Sequence, residues 1–244
     1  MKRTAIILAA LMCMASRHPD RMIRADLEVN YSFNRGNLTG RDLTLTTGTA
    51  AGNAVVTAGN RYLTLDGTGD WVTTSDAAGL DVGRAFSVSF WVQPSSPGTG
   101  ASRIPLARYA ATGNKRSWVV SFRYADTPQR VLLACGSGTG ATSIYYFNQT
   151  LPTTGWHHYV AVYDDAGGTA NRWKLYCDGE AVSFSVDAGD MTGTPFATDI
   201  GVRIGNDNDG TAATAWKGDV DDVRLYNRAL SAAEVAAIYS SGRE

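Results

Sequence analysis

Residues 85–94 read AFSVSFWVQP, and this segment most narrowly limits what the chain can become. Phe86, Val88, Phe90 and Val92 fall on alternate positions and Trp91 on the intervening ones, a period of two that suits a strand and not a helix. Pro94 cannot donate to a ladder and marks the strand's end. The pattern recurs. In LEVNYSF, Leu27, Val29, Tyr31 and Phe33 point one way. RYLTLDG, DWVTTS, IPLARYA, SWVVSFRY, RVLLACG, SIYYFNQ, DIGVRIGN and DVDDVRLY follow as short strands between clusters of Gly, Asn, Asp and Pro. GWHHYVAVYDDAGGTANRWKLYCDGEAV reads as a hairpin with arms Trp156–Tyr163 and Trp173–Cys177, and a tight turn at Asp178-Gly179 leads onward. About a dozen short strands at this spacing predict an all-β fold, a two-sheet antiparallel jelly-roll sandwich.

One helix is expected, after Ser231. Glu234 stands three residues on, as in a capping box, and Gly242 ends the segment. Leu230, Val235, Ile238 and Tyr239 are its docking side chains.

Composition agrees with a β fold. Only four Lys and four Glu occur in 244 residues, against 26 Gly. The net charge of −1 and the lack of a basic stripe argue against nucleic acid as a partner. Residues 1–25 divide from a single domain at 26–244. MKRTAIILAALMCMAS has the basic start and apolar run of a secretory leader, too short to span a membrane. Arg17, His18, Arg21 and Arg24 directly after it oppose export, so the alternative is an anchoring segment held against neighbouring subunits of a larger assembly. Cys13, Cys135 and Cys177 show no metal-ligand spacing. Cys135 and Cys177 pair only if their strands lie close, and are otherwise buried thiols.

The succession YLTLDGTGDWV, FSVSFWVQP, GWHHYVAVYD, LYCDGE, IGN and GDVDDVRLYNRALSAAEV resembles the laminin-G-like, concanavalin-A-like lectin/glucanase family of jelly rolls, over Leu27 to Ile238. The resemblance implies two curved antiparallel sheets and a domain used to bind glycans or proteins, often with a structural calcium. Carried over here, that ion would join Asn34 to Asp221, in the first and last strands.

Some relatives of that kind hydrolyse glycans with two carboxylates at short spacing. No Glu pair is available here, because Glu234 and Glu244 belong to the helix and tail. Asp219 and Asp221 would share a strand face about 7 Å apart, where a metal or turn role suits them better. His157 and His158 are consecutive, face opposite sides of a strand and cannot hold one metal together. The expected function is therefore a non-catalytic module for glycan binding or adhesion, extracellular or on a virion surface, whose partner is a glycan or a glycosylated surface. The alternatives are a structural or decoration protein of a virus particle and, last, a glycan hydrolase. Flat aromatic rings match the C–H faces of sugars, and polar side chains read hydroxyls. Trp118 and Tyr146, in the middle strands, are the expected stacking residues. Asn206, Asp207, Asn208 and Asp209 in GNDNDGTAATAW are the expected polar ones. The Asp cluster 219–222 is expected at the wet end of the closing strand, with Asp222 paired to Arg224 or Arg228.

Overall fold

A computed structural model describes residues 27–31, 48–51, 55–56, 62–74, 80–95, 102–138, 142–168, 171–188, 194–195 and 197–243. The N-terminal segment 1–25 and Asn34, to which sequence assigned a leader or anchor and a calcium ligand, lie outside the described residues.

Sixteen strands occur among the described residues. They are β1 (Leu27–Tyr31), β2 (Gly48–Ala51), β3 (Val55–Val56), β4 (Leu63–Asp66), β5 (Trp71–Thr74), β6 (Ala85–Pro94), β7 (Arg103–Ala110) and β8 (Lys115–Arg123). After them come β9 (Arg130–Gly136), β10 (Thr142–Asn148), β11 (His157–Asp164), β12 (Trp173–Cys177), β13 (Glu180–Val182), β14 (Phe184–Ala188), β15 (Arg203–Ile204) and β16 (Lys217–Tyr226). One helix, α1 (Ala232–Ser241), ends the described chain.

The strands form two eight-stranded sheets. Sheet A runs β13-β12-β11-β6-β16-β4-β3, with β1 also on β16. Sheet B runs β14-β10-β9-β8-β7-β15-β5-β2. All ladders between named strands are antiparallel, as a jelly roll requires. The core lies between the sheets. Phe86, Val88, Phe90 and Val92 enter it from β6, and Trp118, Val120 and Phe122 from β8. Aromatic rings meet across it: Phe122 lies 4.8 Å from Tyr159 and 5.3 Å from Trp216, centroid to centroid.

The hairpin arms emerge as β11 and β12, and the turn after β12 sits where the sequence predicts it. Asp178 and Gly179 both have positive φ, 51° and 83°. That pair of values is the primed turn which matches the twist of a hairpin. A Cβ on Gly179 would also stand 2.9 Å from the Tyr239 ring, so the position admits only glycine.

Cys135 and Cys177 are free thiols on opposite sheets and form no bond to each other. Burial pushes the Cys135 thiol up to about 12, against smaller opposing contacts from Tyr163 and Trp173, so it behaves as a core residue.

Helix α1 covers the outer face of sheet A. Leu230, Val235 and Ile238 pack on Val160, Val162, Tyr176 and Tyr226. Tyr239, 38% exposed, stacks at 5.8 Å on Trp91, on the face of β6 that points away from the core. Ser87 ties the incoming loop to β6: its hydroxyl donates to the Arg228 carbonyl and accepts from the Leu230 N–H. The capping box forms as predicted. The Ser231 hydroxyl accepts from the Glu234 N–H, and the Glu234 carboxylate accepts from the Ser231 N–H at 2.8 Å.

Replacing Ser231 by Ala removes one of these bonds and should cost about 1 kcal/mol in a urea melt. The hydrogen bond from Arg228 beside it, with the cap donors, holds the Glu234 carboxyl down to about 2 from 4.5. A depressed carboxylate stabilises the fold above its unfolded pKa. Melting temperature should therefore fall as pH drops from about 4.5 toward 2, and Glu234→Gln should flatten that part of the profile.

Candidate functional site

Two regions concentrate polar and aromatic groups: the Asp-rich stretch of β16 and the outer face of sheet B. A third, smaller cluster lies where β11 and β12 meet.

The Asp-rich stretch is not the wet strand end that its composition suggests. Asp221 and Asp222 are 0% and 1% exposed, in the middle of β16. The reason is a bulge. Val220, Val223 and Leu225 all face the core, although 220 and 223 differ in parity. The β16–β6 register shifts between Asp221 and Arg224, and Asp222 sits at φ 46°. One extra residue in the left-handed region flips the strand and restores its apolar side to the core. Asp tolerates that conformation better than a β-branched residue does. At the bulge the Asp221 carboxylate accepts the Asp222 N–H at 2.9 Å.

The counter-charges are arginines. The other Asp221 oxygen accepts from Arg243 at 2.7 Å. Asp222 lies 3.7 Å from Arg224, one of the two partners expected for it. Arg243 in turn lies 4.1 Å from the Trp156 ring centroid and 5.5 Å from that of Tyr62. Asp219, half-buried, accepts from the Thr64 hydroxyl at 2.8 Å. Burial raises its pKa against that bond.

The outer face of sheet B is built by the residues between the core positions of β5, β7, β8, β9, β10 and β15. Ile104, Ala107, Val119 and Ala134 form an apolar floor, with Tyr109, Leu132 and Ile144 packed against it. Three arginine–aromatic pairs stand on this face. Arg130 lies 4.2 Å from the Tyr146 ring centroid, Arg203 lies 4.5 Å from Trp71, and Arg116 lies 6.0 Å from Tyr109. Asp126 holds Arg130 in place at 2.5 Å. Small floor residues between planar cation–π pairs give a surface that is flat, apolar in part and rich in donors.

The expected ligand-binding residues divide between these surroundings. Tyr146 is on the outer face, and Tyr145 points into the core, as their alternation predicts. Trp118 is a correction. It is 1% exposed and packs 6.2 Å from Phe86 in the core. Its true alternation partners are Val120 and Phe122, whereas Val119 belongs to the outer floor.

The loop Asn206–Asp209 is a knot more than an open turn. Asn206 is fully buried, and its amide oxygen accepts from the Asp207 N–H and the Thr214 hydroxyl. Asp207, 8% exposed, accepts from the Gly210 N–H, and burial raises its pKa. Asn208 exchanges bonds with the Tyr109 backbone, and Asp209 accepts from the N–H groups of Ala111 and Thr112. These oxygens brace the end of β7. Beside them an open cleft of about 430 Å³ is lined by Thr112, Gly113, Lys115, Asn208 and Asp209.

The two histidines face opposite ways, as consecutive strand residues must. His158 is buried between Trp91 and Tyr239 and shares a 2.9 Å hydrogen bond with Ser89. Burial pulls its pKa down to about 4, so it is neutral at neutral pH. His157 is 30% exposed and bonds through Nδ1 to Asp178 at 2.8 Å. Cys177 completes a trio whose ligand atoms all lie within 4.8 Å of one another. The sequence showed no such cluster because its members come from two strands and a turn.

A family model for the concanavalin A-like lectin/glucanases superfamily matches residues 66–236. No curated protein sequence matches the chain. Solved structures do. Domain 4 of AbnA, an extracellular GH43 arabinanase from Geobacillus stearothermophilus, in complex with arabinotriose, aligns with a TM-score of 0.63 at 20% identity, covering 88% of this chain and 98% of that one. The ligand-binding domain of botulinum neurotoxin serotype D, in complex with N-acetylneuraminic acid, gives 0.65 at 12% identity over 92% of this chain. A botulinum neurotoxin type C structure, described with ganglioside-dependent cell entry, gives 0.68 at 10% over 91%. The chain spans about half the length of the two toxin chains, 53% and 52%. At these identities the likeness is one of fold.

Arg243→Ala strips the buried Asp221 carboxylate of a charged donor on the outer side of sheet A. It should lower stability by about 1–3 kcal/mol in a denaturant titration, whereas Lys115→Ala, whose partner Asp199 is exposed, should change it by less than about 0.5 kcal/mol.

Proposed function

Because the chain belongs to the concanavalin A-like lectin/glucanase superfamily, we propose that it is a non-catalytic glycan-binding module that acts on extracellular or surface-displayed glycans. The binding surface in this reading is the outer face of sheet B around Tyr146. The observation that carries it is the row of arginine–aromatic pairs, Arg130 with Tyr146 and Arg203 with Trp71, on a floor of small apolar residues. A pyranose ring laid on Tyr146 would bury its C–H face, while the guanidinium of Arg130 donates to hydroxyls or to a carboxylate. The arabinotriose and N-acetylneuraminic acid complexes of the structural neighbours favour a sugar ligand.

The non-catalytic part of the proposal rests on where the acids lie. Glycoside hydrolysis needs two carboxyls facing one cleft. Asp221 is sealed in sheet A by Arg243, and Asp219 is occupied by Thr64. Glu180 is on β13 and Glu234 caps α1. No helix among the described residues is long and apolar enough to cross a membrane.

The test is a glycan array followed by calorimetry, with arabino-oligosaccharides and sialylated oligosaccharides as first probes. Tyr146→Ala should weaken the best hit by about 10-fold, the loss of one stacking contact, and leave the melting temperature close to the parent's. Equal affinity in the variant would move the site elsewhere. An array with no hits on folded protein would sink the glycan reading itself.

A structural calcium at Asn34 and Asp221 is a separate proposal. The described half of that donor set suits it poorly, because both Asp221 oxygens already accept internal donors and Arg243 supplies a positive charge. An ion at Asp221 would compete with Arg243. With a calcium present, chelator should lower the melting temperature by several degrees; an unchanged melt leaves the charge balance to arginine.

A further inference from the structure

We propose that His157, Cys177 and Asp178 form a binding site for a divalent metal ion of the zinc class. The three side chains converge from separate places: His157 from the start of β11, Cys177 from the end of β12, and Asp178 from the turn that follows. They offer one imidazole, one thiol and one carboxylate, and their ligand atoms lie within 4.8 Å of one another. Nδ1 of His157 is 2.8 Å from Oδ2 of Asp178, and Sγ of Cys177 is 3.8 Å from that same oxygen. In a tetrahedral zinc site, with bonds of about 2.0–2.3 Å, neighbouring ligands stand roughly 3.3–3.7 Å apart. Shifts of less than about 1 Å within the half-exposed side chains reach that geometry.

The set also carries its own orientation. Asp178 is fixed at both ends of its residue. Its N–H donates to the His158 carbonyl at 2.8 Å, and its Oδ1 accepts from the His158 N–H at 2.9 Å. Oδ2 is thereby turned toward His157 and Cys177. The turn that holds it in a left-handed conformation allows no substitution at Gly179, where a Cβ would meet the Tyr239 ring. On the other side, Tyr159 and Gln149 lie beside Cys177, and Gln149 donates to the Tyr159 hydroxyl at 3.2 Å. The amide oxygen of Gln149 is buried without a hydrogen-bond partner, an acceptor beside the trio that a metal-bound water would satisfy. Such outer contacts are the usual means of orienting a metal's ligands.

The donor chemistry selects the ion. Thiolate and imidazole favour zinc and its neighbours, and calcium or magnesium would need more oxygen. Three protein ligands leave a fourth position for water or for an external group, and His157 and Asp178 are 30% and 33% exposed, so that position is reached from solvent. Burial raises the pKa of the Cys177 thiol. Metal binding to a thiol releases its proton to solvent and exchanges the S–H bond for an S–metal bond. This site lies on sheet A and is independent of the glycan face proposed on sheet B.

The test uses the full chain with Cys13→Ser, so that the remaining thiols are Cys177 and the core Cys135. Cobalt(II) added at one equivalent should give a thiolate-to-metal charge-transfer band in the near ultraviolet and intense tetrahedral ligand-field bands in the visible. Zinc should bleach both and raise the melting temperature. Cys177→Ser should abolish the charge-transfer band, and His157→Ala and Asp178→Asn should each weaken zinc binding by more than about 10-fold in calorimetry. Absence of the band in folded parent protein overturns the proposal, as does a band that persists in Cys177→Ser. If Cys177→Ser does not fold, the other two variants decide: unchanged zinc affinity in both overturns it.

Discussion

Strand β16 depends on charge cancelled out of water. It runs through sheet A with β6 on one side and β4 and β1 on the other, so sheet A would fall into two pieces without it. Its core side chains reach the sandwich only because a bulge changes the strand's parity at Asp221 and Asp222. Those two carboxylates are buried, and a buried carboxylate without a donor is among the costliest groups a fold can hold. Arg243, Arg224 and the backbone N–H of Asp222 make the bulge tolerable. The core on one side of β16 and the arginines on the other are thus parts of one arrangement.

The two sheets treat their outer faces differently. Sheet A spends its outer face on α1, with Tyr239 on Trp91 and Val235 and Ile238 on Val160 and Val162. Sheet B carries small residues in the floor of its outer face and arginine–aromatic pairs around them. An apolar helix suits the first surface and a hydroxylated, partly flat ligand suits the second.

Much of this was legible in the sequence where one physical rule acts alone. Period-two alternation located β6 and its core side chains, and primed-turn chemistry located Asp178-Gly179. Capping chemistry located α1 and its two cap residues. The site was less legible because it depends on parity and on distant pairing. The ring of Trp118 invites stacking, but its alternation with Val120 and Phe122 puts it inside. Asp221 and Asp222 suggest a solvated strand end because charge is usually wet, yet both are buried. A bulge has no sequence signature beyond the awkward spacing of Val220 and Val223, and Arg243 is far along the chain. Asn206–Asp209 offered oxygens in abundance, but their use depends on β7 lying alongside. His157, Cys177 and Asp178 became neighbours only once β11 and β12 paired.

The place of β16 in the sheet has a consequence for biosynthesis. A polypeptide leaves the ribosome from its N-terminus, and the strand at the heart of sheet A is the last of the described strands to emerge. Until residues 217–226 are out, β6 and β4 each present an open edge where β16 will later lie. Such edges invite pairing with other nascent chains. Sheet A therefore cannot close until its central strand has been made.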